Sequence, residues 1–186
     1  LGAGRSLVAH LHGVQGVAGS NPAVPTKSEA MMLERLFSRL ELKIPPPVVI
    51  VFAGLLNRLG GGWGQVPFDP PWVLIISLIV VSGVLGVGGL IGCFRGRTTV
   101  HPWSPDDTTT IVTHGVYRLS RNPMYFGLVL LLAAYYLYGP MLLSPIGLIL
   151  VIWFLTRFQI LPEERILHRK FGEQYAQYAL LVRRWL

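Results

Sequence analysis

Residues 122–156 read NPMYFGLVLLLAAYYLYGPMLLSPIGLILVIWFLT, a run without one charged side chain. A single helix of that length would reach about 52 Å at about 1.5 Å per residue. The hydrocarbon core of a bilayer is only about 30 Å thick. Gly139-Pro140 sits near the middle of the run and marks a turn. The spacing therefore predicts a helical hairpin, roughly residues 123–138 and 141–160. Tyr135, Tyr136 and Tyr138 close the first arm and fit an aromatic belt at the far membrane interface.

On the N-terminal side of the hairpin, residues 70–94 also carry no charge, which predicts a transmembrane helix. Trp72 marks one interface, and Arg95 and Arg97 mark the other. Residues 44–57 are uncharged but short for a span, and Arg58 can extend them by snorkelling. An amphipathic stretch from Met32, carrying Arg35, Arg39 and Lys43, is ended by Pro45-Pro46-Pro47, because proline lacks the donor and blocks the preceding turn.

Four spans put both termini on one side. Arg35, Arg39, Lys43, Arg95, Arg97, Arg118, Arg121, Arg165, Arg169, Lys170, Arg183 and Arg184 all fall on that side, whereas the opposite loops hold Asp69 with only Arg58 nearby. By the positive-inside rule the crowded side is cytoplasmic. Residues 162–182 place apolar residues near helical spacing among Glu, Arg and Lys and predict a cytoplasmic amphipathic helix, on the membrane surface or folded back over the cytoplasmic loop.

Composition agrees. Hydrophobic residues make up 52% of the 186 and charged residues 13%; mean hydropathy is +0.51. Such a chain cannot cover a globule with charge. A soluble enzyme, a disordered regulator and a disulfide-rich secreted module are excluded, leaving an all-α integral membrane helical bundle. The net charge of +7 reads as basic cytoplasmic loops, with no nucleic-acid partner expected. Cys93, the single cysteine, rules out an internal disulfide. His101, His114 and His168 lack compact metal spacing, so no metal site is expected.

Residues 1–30 differ from the rest, with neither an apolar span nor a signal-peptide order. Gly19-Ser20-Asn21-Pro22 back-translates to the T-arm of a tRNA gene. The segment is expected to be a reading frame extended upstream of Met31 or Met32; a natural disordered leader is the alternative. Residues 31–186 then form one membrane domain, with its polar groups concentrated over about 95–186. The tRNA reading also implies a compact genome and a prokaryotic inner membrane.

The sharpest string is Gly115-Val116-Tyr117-Arg118-Leu119-Ser120-Arg121-Asn122-Pro123-Met124-Tyr125. A second block runs Glu163-Glu164, Leu167, Phe171-Gly172, Tyr175 and Tyr178. The two are about forty residues apart with the hairpin between them. Together they resemble the signature of the isoprenylcysteine carboxyl methyltransferase and phospholipid methyltransferase family, over about residues 70–186. The resemblance implies a membrane-embedded enzyme using S-adenosyl-L-methionine to methylate a lipid or isoprenoid acceptor, carboxylate or amine, at the cytoplasmic face. Carried over residue by residue, it implies a cofactor site of Gly115, Val116, Tyr117, Arg121, Asn122, Pro123, Tyr125, Glu163 and Glu164. It gives weaker support to Gly86-Val87-Gly88 as a glycine-rich cofactor element. Asn122 departs from the histidine of isoprenylcysteine enzymes, which bears on the acceptor. Acceptor identity and oligomeric state stay open.

The residue types suit that chemistry. Arginine binds a carboxylate bidentately, glutamate accepts from an ammonium or ribose hydroxyls, and aromatic faces stabilise a sulfonium as they do ammonium cations. Arg121, Arg157 and Glu163 are the expected catalytic residues. Each also has a plainer reading. Arg118 and Arg121 satisfy the positive-inside rule, and Asn122 with Pro123 can start a helix. Glu163-Glu164 after Pro162 suits a helix N-terminus, Arg157 can snorkel, and the glycines of 83–92 permit close helix packing. Two other functions fit the spans. One is a non-catalytic membrane protein of the same fold. The other is a membrane reductase, for which no dinucleotide fingerprint is present.

Overall fold

A computed structural model describes residues 40–60, 69–96, 109–139 and 142–186. Residues 1–30, Arg35, Arg39, Arg97, His101 and Pro140 lie outside them. The described residues are all-helical: α1 (Pro46–Leu59), α2 (Trp72–Arg95), a 3-10 turn (Gly115–Arg118), α3 (Pro123–Tyr138), α4 (Ser144–Leu155), a π turn (Thr156–Ile160), α5 (Leu161–Phe171) and α6 (Glu173–Leu181).

Proline opens α1, α3 and α4, where its missing N–H costs nothing because the first turn has no acceptor for it. The predicted hairpin is present as α3 and α4. The chain α2–α3 is antiparallel: Trp72 at the start of α2 lies 5.7 Å, ring to ring, from Tyr138 at the end of α3. This interface is the most extensive in the fold, and small residues make it close. A Cβ on Gly127 would lie 2.9 Å from the Ser82 carbonyl oxygen, and one on Gly89 would lie 2.5 Å from Met124 Cγ. Ser82 Oγ donates to the Gly127 carbonyl at 2.8 Å. The glycine stripe of α2 thus serves packing at Gly88, Gly89 and Gly92, while Gly83 and Gly86 face open space.

The main core joins α1, α3 and α4 through Ile50, Val129, Leu132, Tyr136, Val151 and Leu155. Tyr136 departs from the predicted aromatic belt. It is buried, its hydroxyl donating to the Ala53 carbonyl, because Gly147 leaves it room. Tyr135 and Tyr138 are exposed as a belt requires. Asn57 closes this end, donating to the Gly139 carbonyl at 3.2 Å and accepting from Ser144 Oγ at 2.8 Å.

The outer faces are apolar. Val73, Ile76, Val80, Val84 and Phe94 of α2 and Ile149, Leu150 and Trp153 of α4 are exposed, a belt far larger than water tolerates on a monomer. Two helices are long and apolar enough to cross a membrane, Trp72–Arg95 and the continuous run Ser144–Phe171. Helices α1 and α3, at 14 and 16 residues, reach about 21 and 24 Å.

The C-terminal helix departs from expectation in two places. No break separates the second arm of the hairpin from it at Pro162; the helix runs on from Ser144 to Phe171. The π turn at 156–160 supplies the reason. Proline at 162 cannot donate back to Phe158, and the widened turn relieves the clash of its ring. The Phe158 carbonyl instead accepts the Leu42 N–H at 2.9 Å, and Gln159 Nε2 donates to the Ile44 carbonyl at 2.7 Å. The apolar sequence ends at Leu161, and α5 beyond Pro162 is rich in charged residues. The break falls at Gly172, whose φ of +51° and ψ of −122° suit glycine and strain any other residue. Residues 162–182 are therefore two elements, and Tyr175 and Tyr178 of α6 are buried.

Candidate functional site

The two sequence blocks meet where the 3-10 turn, the start of α3, α5 and α6 converge. Gly115 enters the turn at φ +64°. Val116 packs over Gly88. Tyr117 is buried, its hydroxyl 3.1 Å from Cys93 Sγ, and its carbonyl accepts from Tyr178 Oη at 2.7 Å. Burial, first of all, pushes the Tyr117 and Tyr178 hydroxyls well above the usual tyrosine range, so both stay protonated donors.

Arg121 lies at the centre. Its Nη1 is 3.3 Å from Glu164 Oε1 and donates to Tyr175 Oη at 3.4 Å. Its Nε is buried with no partner among the described residues. Burial, with the Glu164 charge adding to it, pushes Tyr175 up to about 12.

The adjacent carboxylates part company. Glu164 turns to Arg121 and Arg184; Glu163 turns to α3 and accepts from Tyr125 Oη at 2.5 Å. Burial raises Glu163 to about 7, opposed by the Tyr125 hydrogen bond. Glu163 is therefore poised between charged and neutral near physiological pH.

Asn122 does not cap α3 with its side chain, correcting the local reading. Its Nδ2 donates to the Arg184 carbonyl at 3.1 Å, and its own N–H is received by Ser120 Oγ at 3.1 Å. Pro123 holds the first position of α3 as expected. Thus Tyr117, Arg121, Asn122, Pro123, Tyr125, Glu163 and Glu164 are brought together.

Arg157 belongs to another cluster. It pairs with Glu41 at 2.7 Å, and Glu41 also pairs with Arg165 at 2.6 Å. Sequence reading did not single out Glu41, Ser120, Tyr178 or Arg184 for the site. Ser120 and Tyr178 lie inside the two motif blocks, which was their available signal. Arg184 was visible only as one more basic charge.

A cavity of about 530 Å³ lies toward the opposite end, between α1, α2 and α3, lined by apolar residues such as Ile50, Ile75, Ile79 and Leu131, with Trp72 and Tyr138.

A family model described as phospholipid methyltransferase matches residues 72–174, close to the extent of the motif resemblance. The chain is 29% identical over 176 residues to protein-S-isoprenylcysteine O-methyltransferase A of Arabidopsis thaliana, covering 93% of this chain and 80% of that relative. A probable protein-S-isoprenylcysteine O-methyltransferase of Oryza sativa subsp. japonica is 29% identical over 107 residues, 58% of this chain and 56% of the relative. An uncharacterized protein of Haemophilus influenzae is 43% identical over 63 residues, 34% of this chain and all of the relative. No solved structure matches the chain at a comparable level. With more than half its length under the family model, including the first motif block and the second as far as Gly172, this chain is a methyltransferase and belongs to the phospholipid methyltransferase family.

Proposed function

We propose that the cluster around Arg121 and Glu163 binds S-adenosylmethionine at the cytoplasmic membrane face. There the protein would methylate a membrane-partitioned lipid or isoprenoid acceptor. One observation carries this reading. Arg121 meets Glu164 and Tyr175 through Nη1, and its buried Nε has no partner among the described residues. A guanidinium in that state is short of an acceptor, and a carboxylate fits it.

The methyl donor supplies, when bound, an electrophilic methyl on a sulfonium and a carboxylate and ammonium for recognition. Arg121 receives the carboxylate. Glu163 accepts from the ammonium or a ribose hydroxyl, and Tyr125 keeps its carboxyl oriented. Tyr125 and Tyr175 set aromatic rings beside these charges, an environment suited to a cation. Gly115, Val116, Tyr117, Asn122 and Pro123 would border the cofactor beside Arg121. Glu164 holds Arg121 from the other side. In-line methyl transfer needs alignment and exclusion of water above all, and a cluster bordered by apolar helices supplies both.

Helices α1 to α4 would then all cross the bilayer. The exposed apolar faces of α1 and α4 support this, with short α1 and α3 met by local thinning and by Arg58 snorkelling. Both described ends of the domain then lie on the cytoplasmic side. The Arg157–Glu41–Arg165 cluster anchors the segment before α1 to α5.

Calorimetry on detergent-purified full chain tests the reading, with S-adenosylmethionine, S-adenosylhomocysteine and a nicotinamide dinucleotide in parallel. Both sulfur compounds should bind and the dinucleotide should not. Arg121→Ala should weaken binding by about tenfold or more, the scale of a charge-assisted pair. A folded sample that binds neither sulfur compound sinks the reading, and one that binds the dinucleotide points to a reductase.

A further inference from the structure

Beyond α6 the chain turns back as an extended tail across the start of α3. Arg121 N–H donates to the Arg183 carbonyl at 3.0 Å. The next carbonyl, that of Arg184, accepts from Ser120 Oγ at 3.2 Å and Asn122 Nδ2 at 3.1 Å. Ser120 is fully buried, and both side-chain bonds to the tail are partly buried. Trp185 completes the seam, its Nε1 donating to Thr156 Oγ1 at 3.3 Å and its ring edge-on to Phe126.

From this fixed backbone the Arg184 side chain reaches Glu164. Nε donates to Oε1 at 3.0 Å and Nη2 to Oε2 at 2.7 Å. Two parallel charge-assisted bonds make the strong, directional form of this pair. Glu164 is left with one longer contact to Arg121, 3.3 Å, and Arg121 keeps its buried Nε unpartnered. Two guanidiniums thus share one carboxylate.

We propose that Arg184 is a positioning residue: by holding Glu164 bidentately it limits Glu164 to one long contact with Arg121 and leaves the rest of that guanidinium for the carboxylate of the methyl donor. The inference rests on the cofactor reading given above. Arg184 acts through Glu164 and touches no reacting atom. Without it, Glu164 loses its bidentate partner and turns fully onto Arg121, the nearest cation. The fork is then occupied by the protein's own carboxylate, and a ligand carboxylate must displace it.

The test measures binding of S-adenosylhomocysteine and of 5′-methylthioadenosine to the full chain. The second ligand shares the nucleoside and sulfur but has no carboxylate. Arg184→Gln should weaken S-adenosylhomocysteine by about tenfold or more and leave methylthioadenosine unchanged. Adding Glu164→Gln to Arg184→Gln should recover most of the loss, because no carboxylate remains to capture Arg121. Arg184→Lys, with a single-point contact, should fall between. Equal losses for both ligands, or no recovery in the double variant, would overturn the proposal in favour of a purely structural tail. A wild type that binds neither ligand overturns the cofactor reading and this proposal with it. A wild type that binds, with Arg184→Gln binding S-adenosylhomocysteine equally well, overturns the positioning role alone. Should Arg184→Gln fail to fold, Arg184→Lys beside wild type carries the same comparison of the two ligands.

Discussion

The Phe158 carbonyl accepts the Leu42 N–H at 2.9 Å, although the two residues are far apart in sequence. Pro162, four residues beyond Phe158, has no N–H to give it. A local defect in one helix thereby becomes the docking point for the segment before α1. The neighbouring pair from Gln159 to Ile44 and the salt bridges of Glu41 follow the same seam.

That seam makes Glu41 a stability residue. Its side chain is only 16% exposed and faces both Arg157 and Arg165. Glu41→Gln should lower stability by roughly 1–3 kcal/mol, the scale for charged hydrogen bonds, read as a lower melting temperature in detergent. Cofactor affinity should stay within about twofold, since distant sites are close to additive. A large loss of affinity with an unchanged melting temperature would place Arg157 at the reaction centre instead.

Gly127 and Gly83 should answer alanine in opposite ways. At Gly127 a methyl would meet the Ser82 carbonyl oxygen at 2.9 Å, while at Gly83 it would meet nothing within 4 Å. Gly127→Ala should destabilise by about 1–3 kcal/mol through forced separation of α2 and α3. Gly83→Ala should be neutral or stabilising by up to about 1 kcal/mol, as helix propensity predicts. Thermal unfolding of the two variants beside wild type decides it.

Glu163 should leave a mark on the pH dependence of stability. Its carboxyl is raised from 4.5 to about 7, so the folded state holds its proton more firmly than the unfolded state. The contribution of this group is full below pH 4.5 and is lost as pH rises through about 7. Glu163→Gln should remove that decline, an effect on the order of a few kcal/mol. Melting curves from pH 4.5 to 8 should therefore show wild type falling relative to the variant; parallel curves would refute the assignment.

Gly172 sits at φ +51° and ψ −122°, a region closed to residues with a Cβ. Gly172→Ala should cost about 1–3 kcal/mol or more and disturb the turn that brings Tyr175 to Arg121. A melting temperature equal to wild type would mean that the chain reaches the same turn by another conformation.

Much of this was open to reading in one dimension. The hairpin of α3 and α4 follows from an uncharged run too long for one helix. The glycine stripe, the proline start of α3 and the two motif blocks were all visible as local patterns. Where reading failed, a local rule was overridden. Pro162 suggests a break, yet the π turn absorbs it; Tyr136 suggests a belt, yet Gly147 and Ala53 make a pocket for it. Asn122 suggests a side-chain cap, yet its amide is turned to the Arg184 carbonyl of the tail.

By itself the sequence determined an all-helical, lipid-suited chain with its reactive groups at one end, because hydropathy, helix periodicity and proline placement act over a few residues at a time. Only the tertiary structure decided how those groups are paired. Glu163 and Glu164 are neighbours with the same chemistry, yet one faces Tyr125 and the other Arg121 and Arg184. Arg157 and Arg121 look alike at helix ends, yet one is taken by Glu41 and the other keeps a donor without a partner among the described residues. The physical reason is that a charge near a membrane boundary satisfies the local rules whatever it pairs with. Its partner is set by where distant segments, such as the tail at 183–185 and the turn at 40–44, come to rest.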